Sequence, residues 1–237
     1  MGIQPKKVVF GNTTKKGCYY IWARRYSNFM KKQLCVILGD IISSRRIKDK
    51  DAFQKKLQET CNEINTLYAD YIYAEFKILK GIDEIEGVLF DISKSYDITS
   101  TILEKLYPDS MRFVVVFDYI DTAAESSDVA KMDGPAFHRA SDIMGELKKS
   151  KLIFSISIDD KALENLISGE INLILLFKKN LSAKQHLIVK EYRETGSQHE
   201  VAKRLGITQQ AVSKALNRAL WEEIRHIEQG LNYALEN

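Results

Sequence analysis

Apolar positions along the chain change period several times, and each period predicts an element. The run Leu34 to Ile42 (LCVILGDII) is continuous and β-branched, broken only by Gly39-Asp40. It predicts a buried strand that ends in the polar loop Ser43-Ser44-Arg45-Arg46. Phe53, Leu57, Cys61, Ile64 and Tyr68 then recur every three or four residues, one stripe of a helix for which Asp51 serves as cap. Tyr73 to Leu79 predicts a strand, Gly81 to Gly87 a turn, and Val88-Leu89-Phe90 the returning partner. Ile98, Ile102 and Leu106 mark a second helix that stops at Pro108, and Met111 to Phe117 (MRFVVVF) a further buried strand. A loop rich in Asp, Ser and Ala leads to Asp133-Gly134-Pro135. Pro135 suits a first helical turn, where its missing N–H costs nothing, and Phe137, Ala140, Met144 and Leu147 form that helix's apolar face. Leu152 to Ile158 predicts the last strand. The order β-α-β-β-α-β-α-β predicts an α+β sandwich of ferredoxin-like or palm type, with helices packed on one face of the sheet. A Rossmann sheet is disfavoured, because no G-x-G-x-x-G turn follows a strand and the second and third strands form a hairpin.

The C-terminal part is helical and strongly punctuated. Ser182-x-x-Gln185 is a capping-box pattern opening a helix with Leu187, Ile188 and Tyr192, which Thr195-Gly196 stops. Ser197-x-x-Glu200 opens a short helix with Val201, Ala202 and Leu205 inward, and Gly206 ends it where a positive φ favours glycine. Ile207 plugs the core, and Thr208 caps a third helix with Val212, Ala215 and Leu216 inward. A small Ala202, a turn Gly206 and a filling Val212 at these offsets predict an all-α helix-turn-helix domain. The stretch GITQQAVSKAL closely resembles the recognition helix of bacterial regulators and of sigma-factor region 4. The outward face of that helix offers Thr208, Gln209, Gln210, Ser213, Lys214, Asn217 and Arg218, with Lys203 and Arg204 flanking it. Amide side chains can donate and accept together at adenine, and cations reach guanine or phosphate, so these nine residues are the candidate contacts to double-stranded DNA. Beyond Arg218 the helix is expected to run on through Leu220, Ile224, Ile227, Leu231 and Leu235. That stripe packs either on the protein's own body or along a seam with a second copy, a homodimer through residues 220–235.

Charge sharpens this picture. The net charge of +3 hides a segmented distribution. Residues 1–29 carry six basic residues and no acid, whereas residues 30–180 hold 21 basic and 25 acidic ones. The overall pI of about 8.6 is therefore no argument for nucleic-acid binding. The local charge of +3 over residues 197–218, with Glu200 the sole acid, is one. The basic N-terminal stretch reads as a nucleic-acid arm, an acid-poor targeting peptide, or a loose extension ahead of a natural start at Met30; the last is preferred. A composition of 45% hydrophobic and 28% charged residues excludes disorder and low complexity. Cys18, Cys35 and Cys61 have neither disulfide nor zinc spacing. His138, His186, His199 and His226 lack metal spacing and read as surface or cap residues. No apolar run approaches a membrane span, so a soluble protein of the reducing cytoplasm, with no membrane partner, is expected.

GDIISSR at 39–45, the D-E-x-x-G stretch at 83–87 and DGPAFHRA at 133–140 together resemble the SatD family, over roughly Met30 to the C-terminus. The same constellation is distantly similar to class III nucleotidyl cyclases and the GGDEF palm. In those, an acid on the first strand and one at the hairpin tip bind Mg²⁺ ions that orient a triphosphate. The resemblance places these roles on Asp40 and on Asp83 or Glu84, making Asp40 and Asp83 the candidate metal ligands and Mg²⁺ the candidate cofactor. The sequence departs from that pattern at Ile82, where a glycine would let the backbone approach a phosphate. No catalytic residue is assigned. The expected organisation is a basic extension over residues 1–29, a palm-like α+β domain over 30–160, a helical connector over 161–180 and a helix-turn-helix domain over 181–237. The expected function is sequence-specific DNA binding and transcriptional regulation, with the palm as sensor or assembly module. The alternative is a Mg²⁺-dependent enzyme of nucleotidyl-cyclase or phosphoryl-transfer type.

Overall fold

The computed structural model describes residues 32–80, 83–121 and 127–237. The expectations for residues 1–29, for Cys18 and for Ile82 fall outside them. Five strands form one sheet in the order β2-β3-β1-β4-β5: β1 (Lys32–Ile41), β2 (Ile72–Lys80), β3 (Glu84–Leu89), β4 (Met111–Ile120) and β5 (Phe154–Ser157). The central β1 runs antiparallel to both β3 and β4, and β4 pairs in parallel with β5. Helices α1 (Lys50–Leu67), α2 (Ser95–Leu106), α3 (Pro135–Lys149) and α4 (Lys161–Lys179) intervene between or follow the strands. The element order read from periodicity is the order found.

The sheet is covered on both faces, not on one. Cys35, Ile37 and Ile41 of β1 point into a core built with α1, α2 and α4, while Leu34, Val36 and Leu38 point into a second core. That second core is closed by Ala136, Ala140, Met144 and Leu147 of α3. The cause lies in β1 and β4, whose runs are apolar without alternation, so both faces must leave water.

Three local expectations shift. Asp49, not Asp51, caps α1, accepting from the Ala52 N–H at 2.9 Å. Residues Glu84 to Gly87 are strand instead of turn, and Gly87 serves packing: a Cβ there would lie 2.6 Å from the Phe76 ring. The segment 161–180 is indeed helical, as α4, but it belongs to the core. Asn172 accepts from the Ile153 and Phe154 N–H groups at 2.9 and 3.1 Å and donates to the Phe154 carbonyl at 2.8 Å. Glu164 accepts from Ser157 Oγ at 3.0 Å and from the Ile158 N–H at 2.8 Å. Side chains of α4 thereby satisfy backbone groups of β5 and its two flanking residues that no strand pairs among the described residues.

Candidate nucleic-acid interface

Three short helices follow: α5 (Ala183–Thr195), α6 (Gln198–Leu205) and α7 (Gln209–Arg218). Their punctuation follows from local chemistry. Ser182 and Gln185 form the reciprocal capping box, and Ser197 accepts from the Glu200 N–H. Gly196 and Gly206 close α5 and α6 at φ of 63° and 62°. Around Gly206 the Ile207 N–H reaches the Ala202 carbonyl at 3.0 Å and the Gly206 N–H the Lys203 carbonyl at 3.4 Å, the double closure of a Schellman turn. Nothing lies within 4 Å of a Cβ built on Gly206, so backbone sign and not space demands glycine there. Ile188, Val201, Ala202, Val212 and Leu216 bury themselves together, with Tyr192, Ile207 and Trp221 packed around them. This small core fixes α7 against α6.

Burying Val212 and Leu216 turns the other side of α7 outward. Gln209, Gln210, Lys214, Asn217 and Arg218 are exposed and Ser213 is half-buried. Thr208, also exposed, is committed through its hydroxyl to the helix start, accepting from the Ala211 N–H at 3.2 Å. The flanking cations differ. Arg204 is held by Glu191 at 3.0 Å and Glu194 at 3.7 Å. Among the described residues no ion pair engages Lys203, Lys214 or Arg218, so three cations around α7 keep their charge available.

The expected run-on helix does break. Leu220 adopts a left-handed conformation at φ 48°, and a separate helix α8 (Trp221–Glu236) starts after it. Its Leu231 and Leu235 are buried in the sheet's own core, with Ile224 packed against them. Leu231, Leu235 and Ile224 of the expected stripe are thus packed on the protein's own body. Polar contacts tie this end of the molecule to α2 and α4. Arg193 pairs with Glu104, the Tyr96 hydroxyl donates to Glu228, and Lys178 Nζ lies 2.5 Å from Glu228. Asn232 donates to Asp97 at 2.7 Å, and Lys94 pairs with Glu236 at 2.5 Å. Burial, then the Glu228 charge, pushes the Tyr96 hydroxyl well above its usual range, so it stays a donor.

At the other candidate site, strand pairing sets Asp40 opposite Glu84, and the Ile41 N–H donates to the Asp83 carbonyl at 2.9 Å. The carboxylate of Asp40 is nearly buried and already matched: Lys148 Nζ of α3 lies 2.6 Å away and Arg112 at 3.8 Å. Asp83 is exposed at the hairpin tip. Among the described residues no group of three or more His, Cys, Asp or Glu is placed to hold a metal. These residues do not fit a divalent cation, because two side-chain cations stand where Mg²⁺ would have to neutralise Asp40.

A profile of one protein family matches residues 34–221, from β1 to the first residue of α8. The chain belongs to the SatD family. Solved structures similar to this SatD-family protein include a bacterial light-regulated adenylyl cyclase, at 12% identity and a TM-score of 0.39, over 54% of this chain and 77% of that one. Another is a regulator of polyketide synthase expression from Bifidobacterium adolescentis, at 11% identity and a TM-score of 0.30, over 92% of this chain and 87% of that one. No curated protein matches significantly. No helix among the described residues is long and apolar enough to cross a membrane.

Proposed function

We propose that this SatD-family protein is a DNA-binding transcriptional regulator that lays α7 in the major groove of double-stranded DNA. The observation that carries the reading is the outward face of α7. Gln209, Gln210 and Asn217 stand exposed beside the unpaired Lys214 and Arg218, on a helix fixed from behind by Val212 and Leu216. Amides can read base edges, and the free cations meet phosphates. Thr208 supports the face from the helix start, and Lys203 extends it onto α6. Arg204, neutralised by two glutamates, serves the fold first. The α/β body senses or assembles. Selection of genomic fragments on the purified full chain tests this: the recovered fragments share a common sequence that competes for binding. Fragments with no common sequence contradict it.

A further inference from the structure

Helix α4 is apolar on two opposite sides. Ile167, Ile171, Ile174 and Leu175 are buried in the sheet's core. Ala162, Leu166, Gly169, Leu173 and Leu176 form the outward side, at alternating spacings of four and three residues. Leu173 is 74% exposed and Leu166 71%, more than any other large apolar side chain among the described residues. A helix resting on a core by one face ordinarily offers charged residues to water on the other. Here Glu170, at a flanking position, is the only charge between residues 165 and 177. An apolar stripe at spacings of four and three, with no polar residue on it, is a seam for another helix. Gly169 opens the middle of that seam. Nothing lies within 4 Å of a Cβ built there, so a second backbone can approach closely.

The two ends of α4 point to which helix that is. Asp159, just ahead of it, and Lys179, its last residue, are both exposed, and no ion pair engages either among the described residues. The neighbouring Asp160 is occupied as the cap, accepting from the Ala162 and Leu163 N–H groups at 2.9 and 3.0 Å. A free acid at the start and a free cation at the end match a copy of α4 laid antiparallel, which also opposes the two helix dipoles. A two-fold axis through Gly169 sets Ala162 opposite Leu176, Leu166 beside Leu173, and Asp159 near Lys179 of the other copy. The face is complementary to itself.

We propose that α4 pairs antiparallel with α4 of a second copy of this chain, through Leu166 and Leu173 across Gly169, to form a two-fold dimer. Such a dimer carries two α7 helices related by the same axis, so the DNA site it reads is an inverted repeat. That consequence rests on the DNA-binding reading; the dimer itself does not.

Sedimentation equilibrium of the purified full chain, without DNA, over about 1–100 µM tests it. The chain sediments at twice 27.2 kDa. Leu173→Glu places a charge in the seam twice over and weakens the dimer by at least about a hundredfold. Leu166→Glu, one heptad away, repeats the test independently. Tyr233→Glu, at a comparably exposed position on α8, leaves the dimer as it is. All three variants keep the parent's far-ultraviolet circular dichroism, because none of these side chains is buried within one chain. A parent chain that stays monomeric to about 100 µM, so that something other than a second copy covers the face, would overturn the proposal. So would a dimer that neither leucine variant loosens, or one that Tyr233→Glu loosens as much. With no DNA present, either result leaves the DNA-binding reading untouched.

Discussion

His186 of α5 stacks on Tyr107, with ring centroids 4.0 Å apart and planes tilted by 30°. Its Nε2 is buried without a partner among the described residues. Burial lowers its pKa below the ordinary 6.5, against the pull of a hydrogen bond to the Lys178 backbone and of the Glu104 charge. The unfolded chain therefore takes up this proton more readily than the folded one. The neutral imidazole contributes stability above the ordinary value, and that contribution is lost as pH falls through the folded value. Denaturant midpoints at about pH 7.5 and pH 5.5 check this: His186→Phe, which keeps the ring stack, loses less stability over the interval than the parent chain. Equal losses would contradict the assignment. In sequence His186 reads as a surface or cap residue, since no local pattern reveals a stacking partner at the far end of α2. Capping residues were legible because their chemistry is local: Ser182, Ser197, Gly206 and Thr208 all stand where expected. Asp49 and Asp51 were confused because apolar spacing fixes a helix's stripe better than its first turn.

At the scale of elements, periodicity identified the five strands and the helices α1, α2 and α3 but not what lies against them. Unalternating runs such as LCVIL and FVVVF carry the sign of two buried faces, and the stripe on α3 answers it. Gly87 looked like a turn residue because a glycine leaves the same mark whether a φ or a neighbouring Phe76 ring requires it. The break at Leu220 was invisible for a related reason. The apolar spacing continues through it, and the Ile224 N–H returns to the Leu220 carbonyl at 2.8 Å. The partner of α8 can be tested residue by residue. Leu231, 2% exposed in the sheet's core, should cost about 2–5 kcal/mol when cut to Ala. Ile227, 41% exposed, should cost less than about 0.5 kcal/mol. Denaturant unfolding of the two variants measures both. A large loss at Ile227, with dissociation of an oligomer, would restore the seam between copies.

For the whole molecule, the three short helices α5, α6 and α7 were readable from residues 181–237 alone, because caps, turn glycines and inward positions are all local to them. The acid on the first strand was also readable, and pairing does bring it opposite the hairpin. Its neutralisation by Lys148, far along the chain on α3, belongs to tertiary packing and left no trace in the motif. Charge is apportioned likewise: Arg204 looks like a DNA-facing cation in sequence but is bound to Glu191, while Lys203, Lys214 and Arg218 are not so engaged among the described residues. The central claim is that the outward face of α7 reads bases while its free cations grip the backbone. Affinities of Gln209→Ala, Gln210→Ala and Arg218→Ala for a selected site and for scrambled DNA, at two salt concentrations, test it most directly. Loss of Gln209 or Gln210 should cost about 1–3 kcal/mol and relax preference at one base position. Loss of Arg218 should weaken all sequences alike and flatten the salt dependence by roughly one unit of slope. A parent chain with no sequence preference, and three variants that bind as it does, would contradict the account.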